Sequence, residues 1–147
     1  MRSTRGARRI RGPRQAPPPS AGGRARLRLI EAIGRKGFAA HLDPVNVICS
    51  PQLYYRNGEV IQEWFDKLGT QIRSCHAKDI TLGGKLTVHL DECRPGLGAL
   101  DYETYLKCMS KLDDRACMML EHMTEEIDYI EATKYIKGLA KKLDIAL

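Results

Sequence analysis

The sequence predicts an α/β fold: three strand–helix units on a parallel sheet, with one helix in front of them. Three short apolar runs carry that prediction, Phe38-Ala39-Ala40-His41-Leu42, Ile72-Arg73-Ser74-Cys75 and Cys117-Met118-Met119-Leu120. Each is followed by a loop and then a helix-like stretch, and such alternation means parallel strands joined by right-handed βα connections. The ends of the runs are the second observation: Asp43-Pro44-Val45-Asn46, His76-Ala77-Lys78-Asp79 and Glu121-His122. An Asp, a His and a Glu at the C-terminal ends of successive parallel strands converge on one point. Together they form the mixed oxygen and nitrogen set that a divalent cation needs.

Taken in order, residues 24–36 place Leu27, Ile30 and Ile33 at helical spacing, with Gly37 as the stop. Residues 38–42 form a buried strand, and 43–58 a loop with two prolines. Residues 59–68 put Val60, Ile61, Trp64, Phe65 and Leu68 on one side of a helix that Gly69 ends. Residues 71–76 are the second strand. A longer loop over 80–100 holds a hairpin, in which Gly83-Gly84 precedes the alternation Leu86-Thr87-Val88-His89-Leu90. Asp101 is the N-cap of a helix over 102–112. Residues 116–120 are the third strand, and Thr124 caps a last helix running to about residue 143. That helix has Glu125 and Glu126 in its first turn and Lys137, Lys141 and Lys142 toward its end, matching the helix dipole.

The first 28 residues differ in kind. They hold nine Arg, no Asp and no Glu, with Pro17-Pro18-Pro19 and Gly22-Gly23. The chain has 24 basic and 18 acidic residues, so residues 29–147 carry 15 basic against 18 acidic, and the net +6 comes from the tail. Residues 1–23 read as a disordered basic tail, or as translated sequence that is not the gene's natural start. An Arg-rich tail can also bind nucleic acid or an anionic surface. A transit peptide is disfavoured by the lack of an amphipathic period and by few Ser. No apolar run approaches the ~20 residues of a membrane span. Five Cys without a CxxC pair fit a reduced, cytoplasmic setting, and Cys75 and Cys117 read as small buried hydrophobes.

Four stretches together, HLDPVN at 41–46, SCHAKDI at 74–80, HLDECRPGLGALDY at 89–102 and MLEH at 119–122, resemble a known family. Residues 24–143 are similar to the C-terminal portion of sugar phosphate isomerases/epimerases of the xylose-isomerase-like superfamily. The resemblance implies a partial (β/α)₈ TIM barrel for residues 24–147, with about three C-terminal strand–helix units. It implies one divalent cation (Mn²⁺, Mg²⁺ or Co²⁺) held by Asp43, His76 and Glu121, with Glu121 also a catalytic acid/base. Asn46 falls where the family places a substrate-contacting side chain, and Lys78 and Asp79 lie at the barrel mouth as further substrate contacts. The family's first Glu ligand belongs some thirty residues before Asp43, where Arg8 to Pro13 offer no carboxylate.

The implied reaction moves a carbonyl, or inverts the carbon beside it, by removing an α proton. A divalent cation polarises the oxygens and stabilises the enediolate, while one carboxylate takes the proton and a second returns it. The expected substrate is a small sugar or sugar phosphate. With one carboxylate missing and a full barrel needing about 250 residues, the chain is expected to be incomplete, inactive alone, and prone to self-association through open sheet edges. Two alternatives stand: a phosphodiester-cleaving endonuclease of the same superfamily, disfavoured by the few His, and an inactive remnant with a basic interaction tail. His41 and His89 are expected to be structural hydrogen-bonders, and Glu92 a loop ion pair with Arg94.

Overall fold

The structure, a computed structural model, describes residues 21–147. The expectation of a disordered tail therefore falls, over residues 1–20, outside the described residues, as does the stretch Arg8 to Pro13. Helix α1 spans Ala21–Ile33. It starts ahead of the expected residue 24, because Gly22 and Gly23 have no side chain to collide with Trp64 and Lys67. A Cβ at Gly22 would sit 3.2 Å from the indole. Arg26 stacks on the same indole, its guanidinium carbon 4.6 Å from the ring centroid. The helix ends at Gly34 rather than Gly37. Gly34 takes the left-handed φ of +60°, and its N–H donates to the Ile30 carbonyl at 3.0 Å, the glycine-terminated helix end.

Strand β1 is Ala40–Leu42. The following loop is more ordered than expected: Val45–Val47 makes a 3₁₀ turn, and Pro51–Tyr54 forms the short helix α2. Ser50 caps α2, its Oγ accepting the Leu53 N–H at 3.3 Å. Helix α3 is Asn57–Leu68, and its apolar stripe Val60, Ile61, Trp64, Phe65 and Leu68 is buried as expected. Strand β2 is Ile72–Ala77. Strands β3, Asp79–Leu82, and β4, Leu90–Cys93, pair antiparallel. The expected hairpin is present, but its second strand lies later than the Leu86–Leu90 alternation. Leu86 and Val88 stand in solvent, and Leu90-Asp91-Glu92-Cys93 makes the ladder instead. Helix α4 is Tyr102–Met109, capped by Asp101, whose Oδ1 accepts the Thr104 N–H at 3.0 Å. Strand β5 is Cys117–Leu120. Helix α5 is Glu126–Lys142; Glu125, not Thr124, stands at its N-cap and makes no side-chain cap.

The main sheet is parallel, in the order β1-β2-β5. Helices α1, α3, α4 and α5 pack in succession along one of its faces. Leu42, Cys75 and Ala77 point into that layer, against Ile61, Phe65, Tyr105 and Leu106. Strand side chains alternate, so His41, Ser74, His76, Cys117 and Met119 share the other face, which no described element covers. This accounts for Cys117, expected buried but exposed. It pairs in register with Ser74 and so lies on the uncovered side. The mixed α/β order and the parallel sheet agree with part of a barrel-like fold.

Candidate metal centre

Register brings the three strand ends together. Leu42 pairs with Cys75 and His76 with Met119, so the residues that follow β1 and β5 arrive beside the end of β2. One ligand atom each from Asp43, His76 and Glu121 lies within 4.8 Å of the others. His76 Nδ1 is 2.8 Å from Glu121 Oε1 and 3.3 Å from Asp43 Oδ2. Asp43 is buried, and its Oδ1 accepts the Asn46 N–H at 3.2 Å, which fixes the carboxylate against the 3₁₀ turn. Helix α4 holds the β2 end from behind. Tyr105 donates its hydroxyl to the His76 carbonyl and Tyr102 to the Lys78 carbonyl, both at 2.8 Å. Both rings are fully buried, so this stretch of backbone cannot shift without breaking the helix layer.

Lys78 reaches into the same space. Its Nζ is 2.7 Å from Glu121 Oε1, 3.0 Å from Asp43 Oδ2 and 3.2 Å from Glu92 Oε2, with the side chain only 3% exposed. Burial works to lower the Lys78 pKa, but the hydrogen bonds it donates to Glu121, Asp43 and Glu92 outweigh it and hold the ammonium well above its ordinary value. The same contact, with Lys78 foremost, holds the Glu121 carboxyl below the usual range.

Glu92 is a member of this cluster that the sequence reading paired wrongly. Arg94 forms an ion pair with Asp128 on α5 instead, Nε to Oδ1 at 3.1 Å, and Glu92 leans over the site from β4. His122 Nδ1 lies 2.9 Å from Glu92 Oε1 and 3.2 Å from Lys78 Nζ. Burial raises the Glu92 pKa, and His122 and Lys78 more than reverse that. His122 has a left-handed φ of 60°, a conformation uncommon for a residue with a Cβ, and this turn aims its ring back at Glu92. The signal that could have found Glu92 is the hairpin itself, which begins directly after Lys78 and folds its return strand over the strand ends.

A cavity of about 330 Å³ opens here, lined among others by Arg26, His41, Asn46, His76, Glu92 and His122. Asn46 and Lys78 line it. Asp79 does not reach it. Its carboxylate turns inward, 1% exposed, and accepts N–H groups from Ile80 and Leu100 at 2.8 Å, Gly96 at 2.9 Å and Gly98 at 3.1 Å. The substrate role expected for Asp79 gives way to a structural one, because neighbours on an extended strand point to opposite sides. His41 is the hydrogen-bonder anticipated, 2.6 Å from the Ser74 hydroxyl, with its ring edge-on to His76. Burial, and then the nearby His76, lower its pKa. His89 stays on the hairpin, bonded to Thr87.

The donors suit a hard or borderline divalent cation: two carboxylates and an imidazole, with no thiolate among them. No helix among the described residues is long and apolar enough to cross a membrane. No protein-family model and no curated protein matches the chain. Among solved structures, the chain is similar to a xylose isomerase domain protein from Planctomyces limnophilus. The TM-score is 0.63 at 26% identity, over 83% of this chain and 42% of that one. The chain thus spans less than half the length of that neighbour, and the likeness supports the xylose-isomerase-like superfamily as its relation.

Proposed function

We propose that this chain carries the metal-binding end of a sugar or sugar phosphate isomerase/epimerase, which acts by proton transfer next to a carbonyl. The observation that carries the reading is the convergence of Asp43, His76 and Glu121 at the ends of three parallel strands. The likeness to a xylose isomerase domain protein points the same way. A divalent cation bound there would polarise the carbonyl and hydroxyl oxygens of a sugar. Asp43, His76 and Glu121 would hold it. Glu121 is also the proposed acid/base: Lys78 keeps its carboxyl ionised, ready to accept a proton from carbon. Asn46, exposed on the 3₁₀ turn at the cavity wall, would donate its amide to a substrate hydroxyl. The buried tyrosines of α4 supply rigidity rather than chemistry, since near-attack geometry depends on a fixed backbone behind the reacting groups.

The test is Mn²⁺ binding by the full chain and by Asp43→Ala, His76→Ala and Glu121→Ala. One ion per chain is expected for the parent. Each variant should bind more weakly by ~100-fold or more, since even the loss of an outer-shell partner costs about 10–100-fold. Unchanged affinity in all three variants rejects the assignment. Exchange of the α proton of ketoses and ketose phosphates into deuterated water then reads the chemistry, and Glu121→Gln should abolish whatever exchange the parent shows.

A further inference from the structure

Two oxygens in the cluster are claimed twice. Asp43 Oδ2 lies 3.3 Å from His76 Nδ1 and 3.0 Å from Lys78 Nζ. Glu121 Oε1 lies 2.8 Å from the same His76 nitrogen and 2.7 Å from the same ammonium. A cation taking its ligands from Asp43, His76 and Glu121 draws on the lone pairs that Lys78 already uses. Two positive charges a few ångströms apart repel strongly in such a site. An ammonium only 3% exposed cannot simply be left unpaired, because burying a bare charge is costly.

The structure supplies an alternative. Glu92 Oε2 stands 3.2 Å from the ammonium on its outer side, and Glu92 is 43% exposed, free of the inner ligand set. His122 Nδ1 lies 3.2 Å from the ammonium and 2.9 Å from Glu92 Oε1. That nitrogen can carry its proton toward Glu92 or offer its lone pair to Lys78, but not both at once. A small cavity of about 120 Å³, lined by Lys78, Glu92, Glu121 and His122 among others, lies on this outer side. Lys78 therefore has inner partners on the strand ends and outer partners on the hairpin and on the residue after Glu121.

We infer that Lys78 is a built-in counter-cation: it yields Asp43 Oδ2 and Glu121 Oε1 to an incoming divalent ion by moving its ammonium outward onto Glu92 and His122. The inference rests on the metal reading above and adds a competitor to it. Lys78 and Glu92 are positioning residues in this account. The lysine sets how tightly the site takes metal, and the hairpin carboxylate sets how readily the lysine lets go.

A double-mutant cycle on the full chain tests it, with free Mn²⁺ read by its paramagnetic resonance signal. Lys78→Met should bind Mn²⁺ at least ~10-fold more tightly than the parent, and Glu92→Gln roughly 10-fold more weakly, because the ammonium loses its outer partner. In the Lys78→Met background, Glu92→Gln should change affinity by less than about twofold, since no ammonium remains to be relocated. Equal costs of Glu92→Gln in both backgrounds would mean that Glu92 acts on the metal directly, and would overturn the inference. A Lys78→Met chain that binds no tighter than the parent also overturns it while leaving the metal reading intact. Absence of Mn²⁺ binding in every chain removes both. If Lys78→Met does not fold by far-ultraviolet circular dichroism, excess Mn²⁺ should restore the fold by replacing the missing charge, and failure to do so counts against the inference.

Discussion

Lys78 and Asp79 are adjacent, oppositely charged and both nearly fully buried, 3% and 1% exposed, yet they are neutralised in contrasting ways. Asp79 is surrounded by backbone. Four N–H groups fixed by the hairpin and by the Pro95–Leu100 loop point at its two oxygens. None can leave without refolding the loop. Lys78 is surrounded by side chains, three carboxylates and an imidazole, drawn from three segments of the chain. Fixed dipoles make a structural anchor, whereas mobile charges make a site whose occupancy can change. Buried charges of opposite sign, one residue apart, serve stability in one case and proposed chemistry in the other.

The comparison breaks most severely at Asp79. Asp79→Ala strands four N–H groups, and the two buried ones, of Ile80 and Leu100, each cost roughly 1–3 kcal/mol when left without a partner. Even with water replacing some of them, a loss of at least about 3 kcal/mol is expected in urea unfolding. A loss below about 1 kcal/mol would show that the loop does not depend on this carboxylate. Gly98→Ala comes next. A Cβ there would meet the Ile80 carbonyl oxygen at 2.5 Å and press on Asp79 Oδ1. The loop must open to admit it, at a cost of about 1–3 kcal/mol, as for overpacking, read from the same unfolding curves.

The smallest expected effect lies on the Lys78 side and is a pH dependence. Glu121 and Glu92 have folded pKa values below their ordinary ones. Their contribution to stability is therefore present above the unfolded carboxyl value near ~4.3 and is lost as pH falls through the folded value. Lys78 is shifted upward, so its contribution is present below its unfolded value near ~10.4 and fades as pH rises through the folded one. Stability should hold steady from about pH 6 to 8 and decline on the acid side below about pH 4. Glu92→Gln should make that acid decline slightly shallower. The change is small because Glu92 is 43% exposed and solvent screens its pairs. An acid limb that steepens instead would contradict the shift assigned to Glu92.

The sequence is legible where local pattern and global fold agree. The three strands, the stripe of α3, Gly69 as its stop and the Asp101 cap all follow from apolar spacing and cap chemistry. So does the convergence of Asp43, His76 and Glu121, since topology brings parallel strand ends to one edge. Less legible were the features that depend on contacts distant in sequence. Gly22-Gly23 looked like tail until Trp64 was there to pack against. The Leu86–Leu90 alternation resembled a strand, but pairing was decided by the partner β3. Glu92 looked like a partner for Arg94, and only the fold shows Asp128 waiting on α5. Asp79 was readable in principle: alternation along an extended chain sends it away from wherever Lys78 points.

The central place of β2 also bears on when the site comes into being. Strands β1 and β5 each pair with β2 and not with each other. During synthesis the β1–β2 pair can form once residue 77 is free of the ribosome, setting Asp43 beside His76. Glu121 arrives only after more than forty further residues have been made, following the hairpin and α4. At roughly 5–20 residues per second, that interval lasts seconds. For that time Lys78 has Asp43 and then Glu92 as acid partners, before Glu121 completes the set. Chain order thus becomes an order of charge compensation, with the last carboxylate joining a cluster whose cation is already in place.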